Sequence, residues 1–321
     1  PRYHKPIEFL FPPGSDWRYS GGGYTIIQVA LEDQTGETLP ELAVKYVFEP
    51  LGMTHTTMFQ PGSPKFPTDV ALVHDGEGNV IRTGIPITPQ IAPSGMWSTP
   101  NDLAKLVIAI QRALGGDSDS IISSAAARTL TDIISLKYVG GMGTPFFRGF
   151  GLGNTDWFRH DGSNTGVNGD LFGSMDGGYG MVMLGNGDDD NTGPVFATIR
   201  REIIEGLGWG ARHELESMPI EPDLKLAVIG SYKGLLYNLG LEYQIVEQNG
   251  KLWIVSEFFT QFLGRDRSEL TYLGSNEFAV SDYPNRLRFE RDANGAIQAV
   301  ILLREASKVT EWKRPISEFR E

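Results

Sequence analysis

Cysteine is missing from all 321 residues. Its absence removes disulfides, thiolate zinc sites and a cysteine nucleophile together, and it leaves the compartment open. Basic residues are the minority, 28 against 40 acidic, and the net charge of -12 argues against a nucleic-acid partner, which needs a basic face to meet phosphates. No apolar run approaches the roughly 18 residues of a membrane span. Pro1-Arg2-Tyr3-His4-Lys5-Pro6 is followed by no apolar segment of the signal-peptide kind, and no initiator Met precedes it, so the chain reads as trimmed. Several catalytic templates are also lacking. In Gly162-Ser163-Asn164-Thr165-Gly166 the serine stands one place too early for a nucleophile elbow. There is no Walker loop, no His-Glu-x-x-His and no dinucleotide glycine fingerprint. The histidines (His4, His55, His74, His160, His213) are scattered, and Asp188-Asp189-Asp190-Asn191 lacks the spacing and distal Glu of a calcium loop, so it reads as a solvated turn. No cofactor and no metal are expected.

What is present is globular. The chain is long enough for one large domain or two ordinary ones, and 11% aromatic residues exceeds what disordered chains carry. Tyr24, Ile27 and Leu31 fall at helical spacing, with Gly36 as a stop. Leu39 to Phe48 reads as a second helix with Pro40 in its first turn. Thr99-Pro100-Asn101-Asp102 is a strong helix start, and Leu103, Leu106, Val107, Ile110 and Leu114 form one apolar stripe ended by Gly115-Gly116. A further helix is expected over 124–134. From about Phe146 to Asn186, short apolar runs separated by Gly, Asn and Asp predict a β meander. Val195, Ile199, Ile203 and Leu207 then restore a helical stripe.

Near 217–223 two prolines in four residues mark a linker. Beyond it, Asn249-Gly250 and Asn294-Gly295 each sit between alternating runs. Such Asn-Gly pairs signal tight hairpins whose two central residues both take positive φ. The division expected is 1–216, a linker over 217–223, and a small all-β barrel or sandwich over 224–321.

Four phrases carry the functional reading: Pro13-Gly14-Ser15-Asp16-Trp17-Arg18-Tyr19-Ser20-Gly21-Gly22-Gly23-Tyr24; Phe48-Glu49-Pro50-Leu51-Gly52-Met53-Thr54; Pro93-Ser94-Gly95-Met96-Trp97-Ser98-Thr99-Pro100-Asn101-Asp102; and His160-Asp161-Gly162-Ser163-Asn164-Thr165-Gly166 with Leu184-Gly185-Asn186-Gly187 after it. Together, and in this order, they resemble the penicillin-recognising serine hydrolases of the class C β-lactamase and DD-peptidase branch, with their penicillin-binding, esterase and D-aminopeptidase relatives. The final β region more loosely resembles the lipocalin-like module that follows such catalytic domains.

The resemblance implies an α/β (α+β) fold, an antiparallel sheet with helices, in which 1–216 is the C-terminal portion of the catalytic domain. It also implies an acyl-enzyme mechanism. Tyr19-Ser20-Gly21 takes the place of the family's Tyr-x-Asn motif, and His160-Asp161-Gly162 that of its Lys-Thr-Gly or His-x-Gly strand. Tyr19 and His160 are then the candidate catalytic residues, and Gly21, Gly162 and Ser163 the candidate substrate and oxyanion positions. A phenol titrates near pH 10 and serves as a base only beside cations. The imidazole would hold a substrate carbonyl or carboxylate, or relay a proton. Gly162 would let substrate lie on the strand edge, and the Ser163 N–H would be one oxyanion donor. Three consecutive glycines ahead of a helix imply close backbone packing there.

Two departures bear on this. No serine has a lysine three places on, so the Ser-x-x-Lys nucleophile is expected upstream of residue 1. Gly21 stands where the motif has Asn, which favours esters over D-amino-acid peptides, amides or β-lactams. Without the missing segment a buried face is expected to lie uncovered, so the chain alone should be poorly stable, associate with itself, or occur together with that segment. The expected partners are a small-molecule or peptide substrate and a second copy or the missing segment. The sequence leaves localisation undetermined, with relatives of this kind often exported or periplasmic. Two rivals remain: a non-catalytic binding or regulatory descendant, and a protein whose working part is a ligand pocket in the C-terminal β region.

Overall fold

A cap and a stop define the first helix. The Ser20 Oγ accepts the Gly23 N–H at 3.0 Å, and α1 (Gly21–Thr35) ends where Gly36 takes φ 71°, a left-handed conformation that costs glycine little. The computed structural model describes residues 8–81, 84–136, 141–149, 155–209, 215–233, 242–257, 259–260, 265–281, 286–303 and 311–315. The three glycines do not precede the helix, as expected, but form its first turn. A Cβ at Gly21 would meet Pro93 at 3.5 Å, and at Gly22 or Gly23 it would meet only Ser20. Close packing by described residues therefore does not account for them.

The second expected helix is α2 (Leu39–Ala43) followed by a π-helical turn at Val44–Phe48. After the short α3 (Ile91–Ser94) comes α4 (Pro100–Leu114), where Thr99 Oγ1 accepts the Asp102 N–H at 3.3 Å and Leu103, Val107 and Ile110 are buried. Helix α5 (Ser124–Thr131) is three residues shorter than expected, because Asp132 turns to extended backbone.

The predicted meander is a four-stranded antiparallel sheet in sequential order: β1 (Phe147–Arg148), β2 (Trp157–Asn164), β3 (Val167–Ser174) and β4 (Gly180–Gly185). On one face Phe158, Leu171 and Val182 pack with Val107, Ile110 and Phe146. The other face meets α6 (Asp189–Gly206). Asp188 and the residues after it are not a solvated turn. Asp188 caps α6, its Oδ1 accepting the Asn191 N–H at 3.1 Å. The buried face of α6 is Ala197, Arg200 and Ile204, while Val195, Ile199 and Leu207 of the expected stripe are exposed.

After α7 (Pro222–Val228), one eight-stranded antiparallel sheet runs in chain order through β5 (Gly230–Lys233), β6 (Glu242–Gln248), β7 (Lys251–Val255), β8 (Arg267–Gly274), β9 (Glu277–Val280), β10 (Arg286–Arg291), β11 (Ile297–Leu303) and β12 (Glu311–Pro315). It is curled into a half-barrel. At the β6–β7 turn Asn249 and Gly250 both have positive φ, as expected for a tight hairpin. At the β10–β11 turn only Gly295 does. There Asp292 Oδ1 accepts the N–H groups of Asn294 and Ala296, at 2.8 and 2.9 Å, and holds a longer loop. Tyr232, Tyr243, Phe259, Phe278 and Phe289, all buried, belong to one apolar cluster on this sheet.

The apolar cluster of this half-barrel also contains Trp157, Phe172 and Ile204, so β2, β3 and α6 share a core with the C-terminal sheet through Leu224 and Val228 of α7. The backbone between α6 and α7 joins in, with the Met218 N–H donating to the Tyr272 carbonyl at 2.9 Å. Elsewhere apolar surface lies open. No residue of α1 is buried, and Tyr24, Ile26, Ile27, Val29 and Leu31 are exposed on it, as are Leu184 of β4 and Val195 and Ile199 of α6.

Candidate active site

Strand alternation places the candidate residues. Phe158, His160 and Gly162 of β2 point to one face of the sheet, and Trp157, Arg159, Asp161 and Ser163 to the other. The backbone alternates too. The Trp157 carbonyl accepts the Gly149 N–H at 2.7 Å on the β1 side, so the N–H and C=O groups of Arg159, Asp161 and Ser163 face that same edge. β1 pairs with Phe158 and Arg159, and the Asp161 and Ser163 backbone groups lie further along. A Cβ at Gly162 would meet nothing within 4 Å, so the strand surface there is open.

Tyr19 immediately precedes the Ser20 cap of α1 and is brought against this strand. Its hydroxyl lies 3.4 Å from Nε2 of His160. Phe147, at the start of β1, stacks on Tyr19 at 6.0 Å between ring centroids and tilts against His160 at 5.3 Å. Gly21 is the first residue of α1, beside Pro93, and α3 is tied to both sides of the site. Ala92 N–H donates to Gln28 of α1 at 3.1 Å, and Asn164 Nδ2 donates to the Ser94 carbonyl at 3.1 Å. The structure therefore brings Tyr19 and His160 together. Gly162 and Ser163 lie on the same strand end, with Gly21 at the helix start.

The His160 tautomer follows from its partners. Nδ1 lies 2.5 Å from the Asp161 carbonyl. A carbonyl only accepts, so Nδ1 carries the proton. Burial holds the imidazole pKa below its ordinary value, against the opposing pull of the Asp161 carboxylate. The neutral ring thus presents a bare Nε2, and the Tyr19 O–H donates to it.

Behind the strand stands a charge cluster that the sequence reading did not find. Arg159 Nε donates to Asp170 Oδ1 at 3.1 Å, and its Nη2 to Asp161 Oδ2 at 3.1 Å. Arg200 Nη1, from α6, donates to Asp170 Oδ2 at 2.7 Å. The Arg159, Asp170 and Arg200 side chains are only 5, 6 and 4% exposed. Both guanidinium groups lie over the Phe172 ring, at 5.1 and 4.7 Å. Burial lowers the Arg200 pKa to about 10 despite the pull of Asp170, so it stays protonated at neutral pH. For Asp161, burial acts upward, but Arg159 and His160 outweigh it and hold the carboxyl below its usual range. The available signal was the charged residues at alternate positions inside an apolar strand, Arg159 and Asp161 after Trp157 and Asp170 before Phe172. Phe147 had no such signal. Among the described residues, no group of three His, Asp or Glu is placed to hold a metal ion, and no helix is long and apolar enough to cross a membrane.

The sequence model of the Beta-lactamase family matches residues 2–204. The chain belongs to that family. A protein of Escherichia coli (strain K12), provisionally named a D-alanyl-D-alanine carboxypeptidase, is 31% identical over 97 residues. That match covers 30% of this chain and 21% of the relative, so the chain spans about a fifth of its length. Among solved structures, SurE matches 91% of this chain and 67% of its own, with 19% identity and a TM-score of 0.50. An octameric penicillin-binding protein homologue from Pyrococcus abyssi matches 95% of this chain and 66% of its own, with 19% identity and a TM-score of 0.50. At such identities these neighbours show a shared fold, of helices with antiparallel sheets.

Proposed function

We propose that the chain is the larger part of a serine hydrolase that works through an acyl-enzyme, with its nucleophile supplied from outside these 321 residues. The observation that carries the reading is the meeting of Tyr19 and His160, 141 residues apart in the chain, at the open end of β2. In the reaction, the serine Oγ bonds to the substrate carbonyl carbon as its proton passes either to the lysine or to Tyr19, the Tyr19 proton in the second case moving on to His160 Nε2. The carbonyl oxygen becomes an oxyanion, which the Ser163 N–H helps hold. Collapse breaks the bond to the leaving alcohol or amine, which takes up the proton, and water then releases the acid. His160, neutral and bare at Nε2, is suited to receive the Tyr19 proton in a relay. A ring in this state cannot donate from Nε2 to a substrate carbonyl.

Esters, D-amino-acid peptides or amides, and β-lactams are the substrate classes. The name of the Escherichia coli relative supports D-amino-acid peptides. Gly21 supports esters, because it lacks the side-chain amide that would bind a substrate amide, although the space beside Pro93 accommodates a Cβ. The octameric homologue makes a second copy of the chain a candidate partner. The absence of any Ser-x-x-Lys within these residues keeps one other reading, a pocket that binds without cutting.

A fluorophosphonate probe on the natural protein, followed by intact mass, decides between them. The hydrolase reading expects a mass above that of this chain and one probe adduct on an upstream serine. It expects Tyr19→Phe or His160→Gln to slow ester turnover by about 100-fold or more. A mass equal to this chain with no adduct would establish the binding reading.

A further inference from the structure

Asp161 and Asp170 stand directly opposite one another on β2 and β3. Two like charges at facing positions push a strand pair apart. Arg159 resolves this by reaching both carboxylates at once, Nε to Asp170 and Nη2 to Asp161, each at 3.1 Å. Arg159 does not float. Asp170 anchors it from below and is itself held by Arg200 at 2.7 Å, and both guanidinium groups lie over the Phe172 ring. The half-exposed Asp161 is thereby clamped to the buried part of the sheet. Its carbonyl is the acceptor that selects Nδ1–H on His160. In water the two neutral imidazole tautomers are close in energy, so the acceptor decides which one is populated.

We propose that Asp170 is a positioning residue: acting through Arg159 and Asp161, it keeps the Asp161 carbonyl against His160 and so fixes the ring as the Nδ1–H tautomer, with Nε2 bare toward Tyr19. The reading of the site as a hydrolase explains why this tautomer matters, since a proton relay from Tyr19 needs an unprotonated Nε2. The tautomer itself is readable without turnover, so the two ideas fail separately.

The test is long-range proton–nitrogen NMR on the chain labelled with 15N-histidine, with His160 assigned by His160→Gln. Wild type is expected to show one tautomer, with the proton on Nδ1. In Asp170→Asn the His160 ring nitrogens should move toward each other, as both tautomers become populated. Asp161→Asn cuts the same path at its exposed end, leaves Asp170, Arg159 and Arg200 joined, and should give the same shift. If Asp170→Asn does not fold, Asp161→Asn decides. The proposal is overturned if wild type carries the proton on Nε2, or if folded Asp161→Asn keeps the wild-type pattern. It also falls if Asp161→Asn shifts while folded Asp170→Asn does not, because Asp161 would then act without its anchor.

Discussion

The Tyr19 hydroxyl and His160 Nε2 face each other at 3.4 Å, and burial keeps that imidazole neutral by lowering its pKa below 6.5. A depressed histidine pKa means that the unfolded chain takes up a proton before the folded one does. Stability from this group is present above about pH 6.5 and declines as pH falls below it. The chain should therefore melt at a lower temperature at pH 5.5 than at pH 7.5, and His160→Gln should reduce that difference. An equal pH effect in the variant would show that other groups cause it.

The Arg159, Asp170 and Arg200 cluster is buried, so truncating its shared carboxylate leaves two guanidinium groups short of their counter-charge. Asp170→Ala is expected to cost roughly 3–5 kcal/mol, the usual penalty for breaking a buried ion pair. Urea unfolding of the two proteins measures it. A loss under 1 kcal/mol would mean that water reaches the arginines and relieves them.

Gly22 lies in the first turn of α1, where an added Cβ would meet only Ser20 Oγ, at 3.8 Å. Gly22→Ala should stabilise the chain by up to about 1 kcal/mol through helix propensity. Ser20→Ala should lose about 1 kcal/mol, because it removes the cap. Thermal melts of both variants check the pair. A destabilising Gly22→Ala would reveal that another segment packs on that turn.

Tyr24, Ile26, Ile27, Val29 and Leu31 leave α1 with apolar side chains in water. An open surface of this kind promotes association. Sedimentation velocity of the isolated chain should show a mass average that rises with concentration. A sharp, concentration-independent monomer that also melts reversibly would contradict this.

Periodicity made the helices and strands legible, because most apolar stripes coincide with elements. It could not say which stripe is buried. In α6 the residues spaced at helical intervals, Val195 and Ile199, are exposed, and the helix instead buries Arg200. That arginine is buried because Asp170 on a neighbouring strand pairs with it, a partner 30 residues away that no local pattern reveals. Turn chemistry was legible where one residue pair carries it, as at Asn249-Gly250, and less so at Asn294-Gly295, where the Asp292 side chain sets the loop. A third hairpin went unseen because its two connecting residues, Ser275 and Asn276, take positive φ although neither is glycine, next to Gly274, which also does. At the site, the motif residues Tyr19 and His160 were legible from their phrases. Phe147 and the arginines were not, because their roles arise only from the pairing of strands.

The cluster that joins Trp157 and Phe172 to the C-terminal sheet makes the half-barrel a keel for the site rather than an appendage. His160 rides on a strand whose reverse side is embedded in that cluster. Cutting the chain near 217 would strip solvent protection from the back of the very strand whose front faces Tyr19.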